Sequence, residues 1–210
     1  MPFASTFSRL ASAVRSGHGR SPAARVDRRL REPLELYEYE ACPACRRVRE
    51  ALTELDLPVR VRPSPYGGER FRPEVVARVG RARFPFLVDP NTGVEMTESD
   101  EIVAYLYATY GDGSVPAWLV GPRFLVTSQL ASMLRGTAGG WARASRPPEH
   151  ELRLIGDEAD PAARRVRERL CELELPYLRE PGRLRFMDAE LDGELTDVEA
   201  ILAHLARYEP

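Results

Sequence analysis

The segment Glu40-Ala-Cys-Pro-Ala-Cys-Arg-Arg-Val-Arg-Glu50 returns 118 residues later as Glu158-Ala-Asp-Pro-Ala-Ala-Arg-Arg-Val-Arg-Glu168. Extended to Pro58 and Pro176, 14 of 19 positions are identical. A repeat of this length means that the chain builds one structural unit twice. Two of the five differing positions are Cys42 and Cys45, replaced by Asp160 and Ala163. What both copies keep (the proline, the arginines, the leucines) serves the scaffold. The dithiol is dispensable to the unit, so its chemistry belongs to the first copy alone.

A chain of 210 residues suits two small units. A net charge of −2 gives no ground for expecting nucleic acid or an anionic membrane as partner. No apolar run approaches the roughly 18 residues of a membrane span. All 30 basic residues are arginine, a bias that base composition explains more simply than anion recognition does. Three cysteines, two of them as C-x-x-C, fit a reducing, cytoplasmic setting and a redox or metal motif rather than a secreted disulfide framework. His18, His150 and His204 are not at ligand spacing from the pair, so no metal is expected.

Residues 1–31 contain only Asp27 as an acid, a composition shared with organellar targeting segments. However, Ser8-Arg-Leu-Ala-Ser-Ala-Val-Arg15 aligns with Ser128-Gln-Leu-Ala-Ser-Met-Leu-Arg135, at an offset of 120. We therefore expect a leader helix and linker over 1–33 and a matching helix and linker over 119–150.

Leu34-Glu-Leu-Tyr-Glu-Tyr39 alternates like a strand. Pro43 is suited to a first helical turn, and Val48, Leu52 and Leu55 follow at helical spacing as far as Pro58. A strand over 59–62, a helix near 73–79, strands over 84–89 and 94–96 around the turn Pro90-Asn-Thr-Gly93, and a helix ended by Gly111 complete the first unit. The second copy repeats the beginning and the end. Thr196 matches Thr97 at an offset of 99 rather than 118, so 19 residues are missing where the second helix should be. Pro181-Gly182 is expected to turn directly between strands. Alternating strands and helices imply an α/β fold, a mixed sheet flanked by helices. Domains are predicted over 34–118 and 151–210.

This order, with Cys42-Pro43-Ala44-Cys45 at the first helix, Phe84-Pro85 at a strand start and Glu98-Ser99 at the last helix, resembles the thioredoxin fold. It is most similar to the N-terminal domain of glutathione S-transferases and to glutaredoxins, in a tandem bacterial and plastid form. The resemblance implies two thioredoxin-like units, the second degenerate, and glutathione as cosubstrate without a metal. Cys42 and Cys45 would be the catalytic pair. Phe84, before a cis Pro85, and Glu98-Ser99 would hold the tripeptide. The residues depart from the pattern in two places: Ala44 replaces the tyrosine usual in glutaredoxin dithiol loops, and no lysine precedes the loop. No all-helical C-terminal domain follows, so a classical transferase ranks below the other readings.

A helix N-terminus lowers a thiol's pKa through its unpaired N–H groups. At that position the first sulfur of C-x-x-C is expected to face solvent, with the second behind it. Arg46 and Arg47 recur as Arg164 and Arg165 beside no thiol, which favours a solvated helix face. Thr97 and Asp100 could cap their helix without any ligand, and Thr196-Asp-Val-Glu199 reads as a capping box. Cys171, at the place of Thr53, reads as a buried structural thiol. Trp118 and Trp141 are expected to pack the units together, and 19–31 and 139–148 to be solvated connectors. The leading reading is glutathione-linked thiol–disulfide exchange, with protein disulfides as candidate substrates. A non-enzymatic interaction module and a glutathione-dependent iron–sulfur carrier stand beside it. Oligomeric state is not legible.

Overall fold

A computed structural model describes residues 19, 20, 30–120, 124 and 137–210. The expected leader and connecting helices lie outside the described residues, apart from Gly19, Arg20 and Phe124. The first unit comprises β1 (Leu34–Glu38), α1 (Pro43–Glu54), β2 (Val59–Pro63), α2 (Arg72–Val79), β3 (Phe86–Asp89), β4 (Val94–Thr97) and α3 (Ser99–Tyr110). The second comprises β5 (Leu152–Ile155), α4 (Pro161–Glu172), β6 (Tyr177–Glu180), β7 (Arg185–Met187) and α5 (Val198–Leu205).

The repeated sequence folds repeatedly for local reasons. Pro43 and Pro161 open α1 and α4 with the correct φ and no wasted donor. At the far ends Asp56 (φ 52°) and Glu174 (φ 48°) turn the chain through positive φ. Leu57 and Leu175 then enter the core, their N–H groups donating to Leu52 and Leu170 carbonyls at 2.9 and 3.0 Å.

The seven strands lie in the order β4-β3-β1-β2-β6-β5-β7. β2 and β6 pair antiparallel, with Arg60 opposite Leu178, two positions that the 118-residue offset makes equivalent. A local two-fold axis therefore passes through that pair. The expected separate domains are instead halves of one sheet with one main core, in which Leu34, Leu36, Val59 and Val61 join Leu152, Leu154 and Tyr177. Edge pairing satisfies backbone groups that β2 and β6 would otherwise expose.

On one face α3 packs on α1, and α5 on α4. On the other face α2 covers Tyr37 and Phe86 through Val75 and Phe71. No helix separates β6 from β7, and that face of the second unit carries exposed Arg153 and Arg185. The turn at Pro181-Gly182 does not make a hairpin, because β6 and β7 flank β5 on opposite sides. A fourth strand is reduced to a single bridge, Phe186 to Leu195.

The solvated arginine face is overturned. Arg46, Arg47 and Arg164 are 1–2% exposed, and Arg49 and Arg167 are equally buried at the seam of the two units. There Arg49 Nε donates to Glu158 Oε2 at 3.0 Å and Arg167 Nε to Glu40 Oε2 at 3.2 Å, a reciprocal exchange across the two-fold. Each arginine also meets its own unit's glutamate, Arg49 to Glu40 at 3.4 Å and Arg167 to Glu158 at 2.9 Å. Glu38 joins through a short bond to Arg49 and has no counterpart, because the second copy has Gly156 there. Arg179 reaches Thr53 and the Arg49 carbonyl. Buried charges are tolerable only when paired and hydrogen-bonded, and Arg49, Arg167, Glu40 and Glu158 meet that condition with partners from both copies.

Gly19 and Gly139, 120 residues apart like the leaders themselves, obey the same symmetry. A Cβ on Gly19 would lie 2.9 Å from Glu158 Cβ, and one on Gly139 would lie 2.7 Å from Glu40 Cβ. Both have positive φ (84° and 67°), so both positions require glycine. The connector over 139–148 is accordingly no simple solvated linker: Gly139 and Gly140 are buried against the first unit.

Candidate active site

β1 pairs antiparallel with β3, Tyr37 opposite Phe86, so the chain leaving β1 toward Cys42 runs beside the chain entering β3 through Phe84-Pro85. Thr97 of β4 also lies opposite Phe86, which brings Glu98 and Ser99 to the same end of the sheet. The topology thus gathers at one end of the sheet the three motifs that sequence alone could only enumerate.

Cys42 is the N-cap residue of α1, and its Sγ accepts the Cys45 N–H at 3.2 Å. The bond from the Cys45 side chain, the backbone bond and Arg49 pull the Cys42 pKa below that of an ordinary thiol, against burial and Glu38. Burial, followed by the hydrogen bond and the charge of Cys42, pushes Cys45 well up. The pair is split into an acidic sulfur and a protonated one. Contrary to expectation, Cys42 barely faces solvent: it is 5% exposed and Cys45 is fully enclosed. Capping turns the sulfur inward over the helix end, and the connector crosses the loop closely enough that a Cβ on Gly140 would lie 3.4 Å from Ala41 Cβ.

The second unit holds this loop in place. Glu40 receives Arg167 and Arg49, its N–H donates to Cys171 Sγ at 3.4 Å, and that thiol donates to Gly139 O at 3.2 Å. Cys171 is 2% exposed, the buried structural thiol expected.

The Phe84–Pro85 peptide bond is cis, and Phe84 is half-buried. Glu98 stands at the start of α3 with φ 73° and provides no side-chain cap; its carboxylate pairs with Arg83. Neither Thr97 nor Asp100 caps the helix, and Asp100 instead pairs with Arg47. In the second unit Asp197 is the cap, accepting the Ala200 N–H at 2.9 Å, one position beyond the expected Thr196. Only the first copy therefore leaves the N–H groups of its last helix without a side-chain cap, behind a residue in a costly backbone conformation. Glu98→Gly is expected to raise stability by about 1 kcal/mol, since the exposed Arg83 pair contributes little. A lower denaturation midpoint in the variant would contradict this account of Glu98.

Sequence reasoning missed a row of rings beside the dithiol. Tyr39 lies edge-on to Phe84 at 6.1 Å, Tyr66 is 5.1 Å from Tyr39, and Trp141 is 5.4 Å from Tyr66. Arg72 lies over Phe84 and Tyr66 at 4.8 and 5.2 Å, its Nη1 donating to the Ser64 and Pro65 carbonyls. Trp141 does not pack the units together, as expected of it, but is 59% exposed. No sequence signal marked Tyr66 or Arg72: Tyr66 meets Tyr39 and Trp141 from distant parts of the chain, and Arg72 bonds to main-chain carbonyls that no residue type encodes.

A mixed sheet with a cis proline opposite a helix-capping cysteine defines a thioredoxin-like fold. Residues 36–114 match the family described as glutathione S-transferase, N-terminal domain, so the first unit is similar to that domain. No curated protein and no solved structure matches the chain. Domains of this family generally bind glutathione. Among the described residues no helix is long and apolar enough to cross a membrane.

Proposed function

We infer that the chain catalyses glutathione-linked thiol–disulfide exchange. One observation carries the reading: Cys42 caps α1 and is pulled toward its thiolate, while Cys45, three residues on, is held protonated. Only the thiolate attacks disulfides. The Cys42 sulfur would attack a glutathione mixed disulfide at the glutathionyl sulfur, and the partner thiolate would leave and take a proton from water. Either free glutathione or Cys45 would then resolve the Cys42–glutathione disulfide. Resolution by glutathione yields glutathione disulfide. Resolution by Cys45 releases glutathione and leaves a Cys42–Cys45 disulfide for two further glutathiones to reduce.

Phe84, before the cis Pro85, offers backbone groups to the cysteinyl part of glutathione. The α3 N-terminus at Glu98-Ser99 suits the γ-glutamyl carboxylate. Arg72, whose bonds within the protein go to carbonyls, is suited to the carboxylate at the other end. The absence of Cys42, of a cis proline and of an uncapped last helix from the second unit supports a purely architectural role for that copy.

The narrow exposure of Cys42 favours a second reading, a glutathione-binding or protein-interaction module without turnover. Glutathione-coupled reduction of a small mixed disulfide separates the two. Exchange predicts that Cys42→Ser falls to the uncatalysed rate while Cys45→Ser keeps much of its activity through glutathione. Equal rates for wild type and both variants would leave the module reading.

A further inference from the structure

The connector over 139–142 lies against the two residues that precede Cys42. A Cβ on Gly139 would come 2.7 Å from Glu40 Cβ, and one on Gly140 would come 3.4 Å from Ala41 Cβ. Both ends of this stretch are fastened to the close of α4. The Gly139 N–H donates to Glu172 Oε1 at 3.1 Å, the Gly139 carbonyl accepts the Cys171 thiol at 3.2 Å, and the Arg143 N–H donates to the Glu172 carbonyl at 2.7 Å. Between those anchors the chain bridges to the loop after β2. The Tyr66 N–H donates to the Gly140 carbonyl and the Ala142 N–H to the Tyr66 carbonyl, both at 2.8 Å, with the Tyr66 and Trp141 rings 5.4 Å apart. Tyr66 in turn meets Tyr39 hydroxyl to hydroxyl at 3.1 Å, and the Tyr39 carbonyl accepts the Cys42 N–H at 3.1 Å. The strap and the loop after β2 thus close on each other beside the dithiol loop.

We propose that residues 139–142 are a gate on Cys42, that the bridge between Tyr66 and Trp141 is its closed position, and that parting those two residues admits a reagent to the sulfur. Three observations point the same way. Cys42 is 5% exposed, whereas exchange requires its sulfur to reach a disulfide, so the arrangement described is a closed one. The closure is light. Its two main-chain bonds are flanked by rings that are 45% exposed at Tyr66 and 59% at Trp141, so water readily replaces their contact. Glycine stands on both sides of the bridge, Gly140 before Trp141 and Gly67 after Tyr66, the latter with φ 73° and open space around it. The anchors differ in kind, since Cys171 is 2% exposed and its bonds are sealed from water. The strap therefore moves between fixed ends while the sheet and α1 stay in place. Its service to exchange rests on the reading above; its closing on Cys42 is measured without any disulfide.

Alkylation of Cys42 by iodoacetamide, read by mass spectrometry of the peptide that carries it, reports the gate directly. Trp141→Ala should raise the rate by about twofold to tenfold, the share of closure that one ring pair supplies. The factor should be the same at every pH, because the helix cap that sets the ionisation is untouched. Trp141→Phe keeps a ring and should stay near the wild-type rate. Hydrogen exchange followed by NMR gives a second readout. The Tyr66 and Ala142 amides should exchange together, faster than those of β1 and β2, and faster still in Trp141→Ala. An unchanged alkylation rate in Trp141→Ala, or one that rises only through a shifted pH midpoint, overturns the proposal. So does a rise matched by a fall in the denaturation midpoint, which would mean that Cys42 is reached by global unfolding. Bridge amides as slow as those of the central strands overturn it too. The gate and the exchange reading fail separately. Faster alkylation in Trp141→Ala without glutathione-coupled activity in the wild type keeps the gate and removes exchange; activity with an alkylation rate that Trp141→Ala leaves unchanged does the reverse.

Discussion

Arg49→Met is expected to lower the free energy of unfolding by about 3–5 kcal/mol, the largest stability loss from any single substitution considered. The guanidinium touches Glu38, Glu40 and Glu158, all buried. Removing it strands carboxylates that only Arg167 and more distant arginines can then compensate. Arg167→Met should cost a similar amount for the reciprocal reason, and the two losses should not add, because both arginines serve the same two glutamates. Denaturant titration of the single and double variants measures the coupling. A loss below about 1 kcal/mol for Arg49→Met would mean that the seam is not held by its ions.

Glu38 gives the same network a pH signature. Burial, with Glu40 and Glu158 adding to it, outweighs Arg49 and raises this carboxyl from 4.5 to about 7. A group with a raised folded pKa binds its proton more tightly in the native state. Its contribution is whole below pH 4.5 and is lost as the pH climbs through 7. Glu38→Gln should flatten that decline, which amounts to roughly 3 kcal/mol between pH 4.5 and 8. Glu158 works the opposite way: Arg167, Arg49 and Arg46 overcome burial and hold it well below the usual carboxylate range, so its contribution is lost only as the pH falls into strong acid.

The second large effect concerns reactivity. Cys45→Ala should slow alkylation of Cys42 by iodoacetamide at neutral pH by about tenfold, the effect of losing one hydrogen bond to a charged acceptor. The largest cause of the depressed Cys42 pKa is the Cys45 side chain, and the backbone N–H that remains carries less. Cys45→Ser keeps a donor and should keep most of the rate. A pH profile of alkylation for the three proteins separates the contributions. Superimposable profiles would show that the helix end alone sets the ionisation.

The secondary structure could be read almost whole because its causes are local. Proline at the first turn, apolar positions at helical spacing and alternating strands lie within a few residues of one another, and the repeat displayed them twice. The candidate site was legible to the extent that it is written in short motifs: Cys42-Pro-Ala-Cys45, Phe84-Pro85 and Glu98-Ser99. The arginines were misread because a charged residue on an amphipathic helix ordinarily meets water. The signal available was that Glu40 and Arg49 return together as Glu158 and Arg167, a pattern a solvated face has no need to keep.

By itself, then, the sequence determined that one βαβ unit is made twice and that only the first copy carries the Cys-x-x-Cys pair, since these depend on local spacing and on residue identity. Tertiary structure alone decided that β2 and β6 fuse the copies into one sheet, that their charges lock reciprocally, and that the connector brings Trp141 to the dithiol. Each of these joins residues distant in the chain, 109 and 127 positions apart in the reciprocal ion pairs, and no local periodicity encodes which surface the other copy will cover.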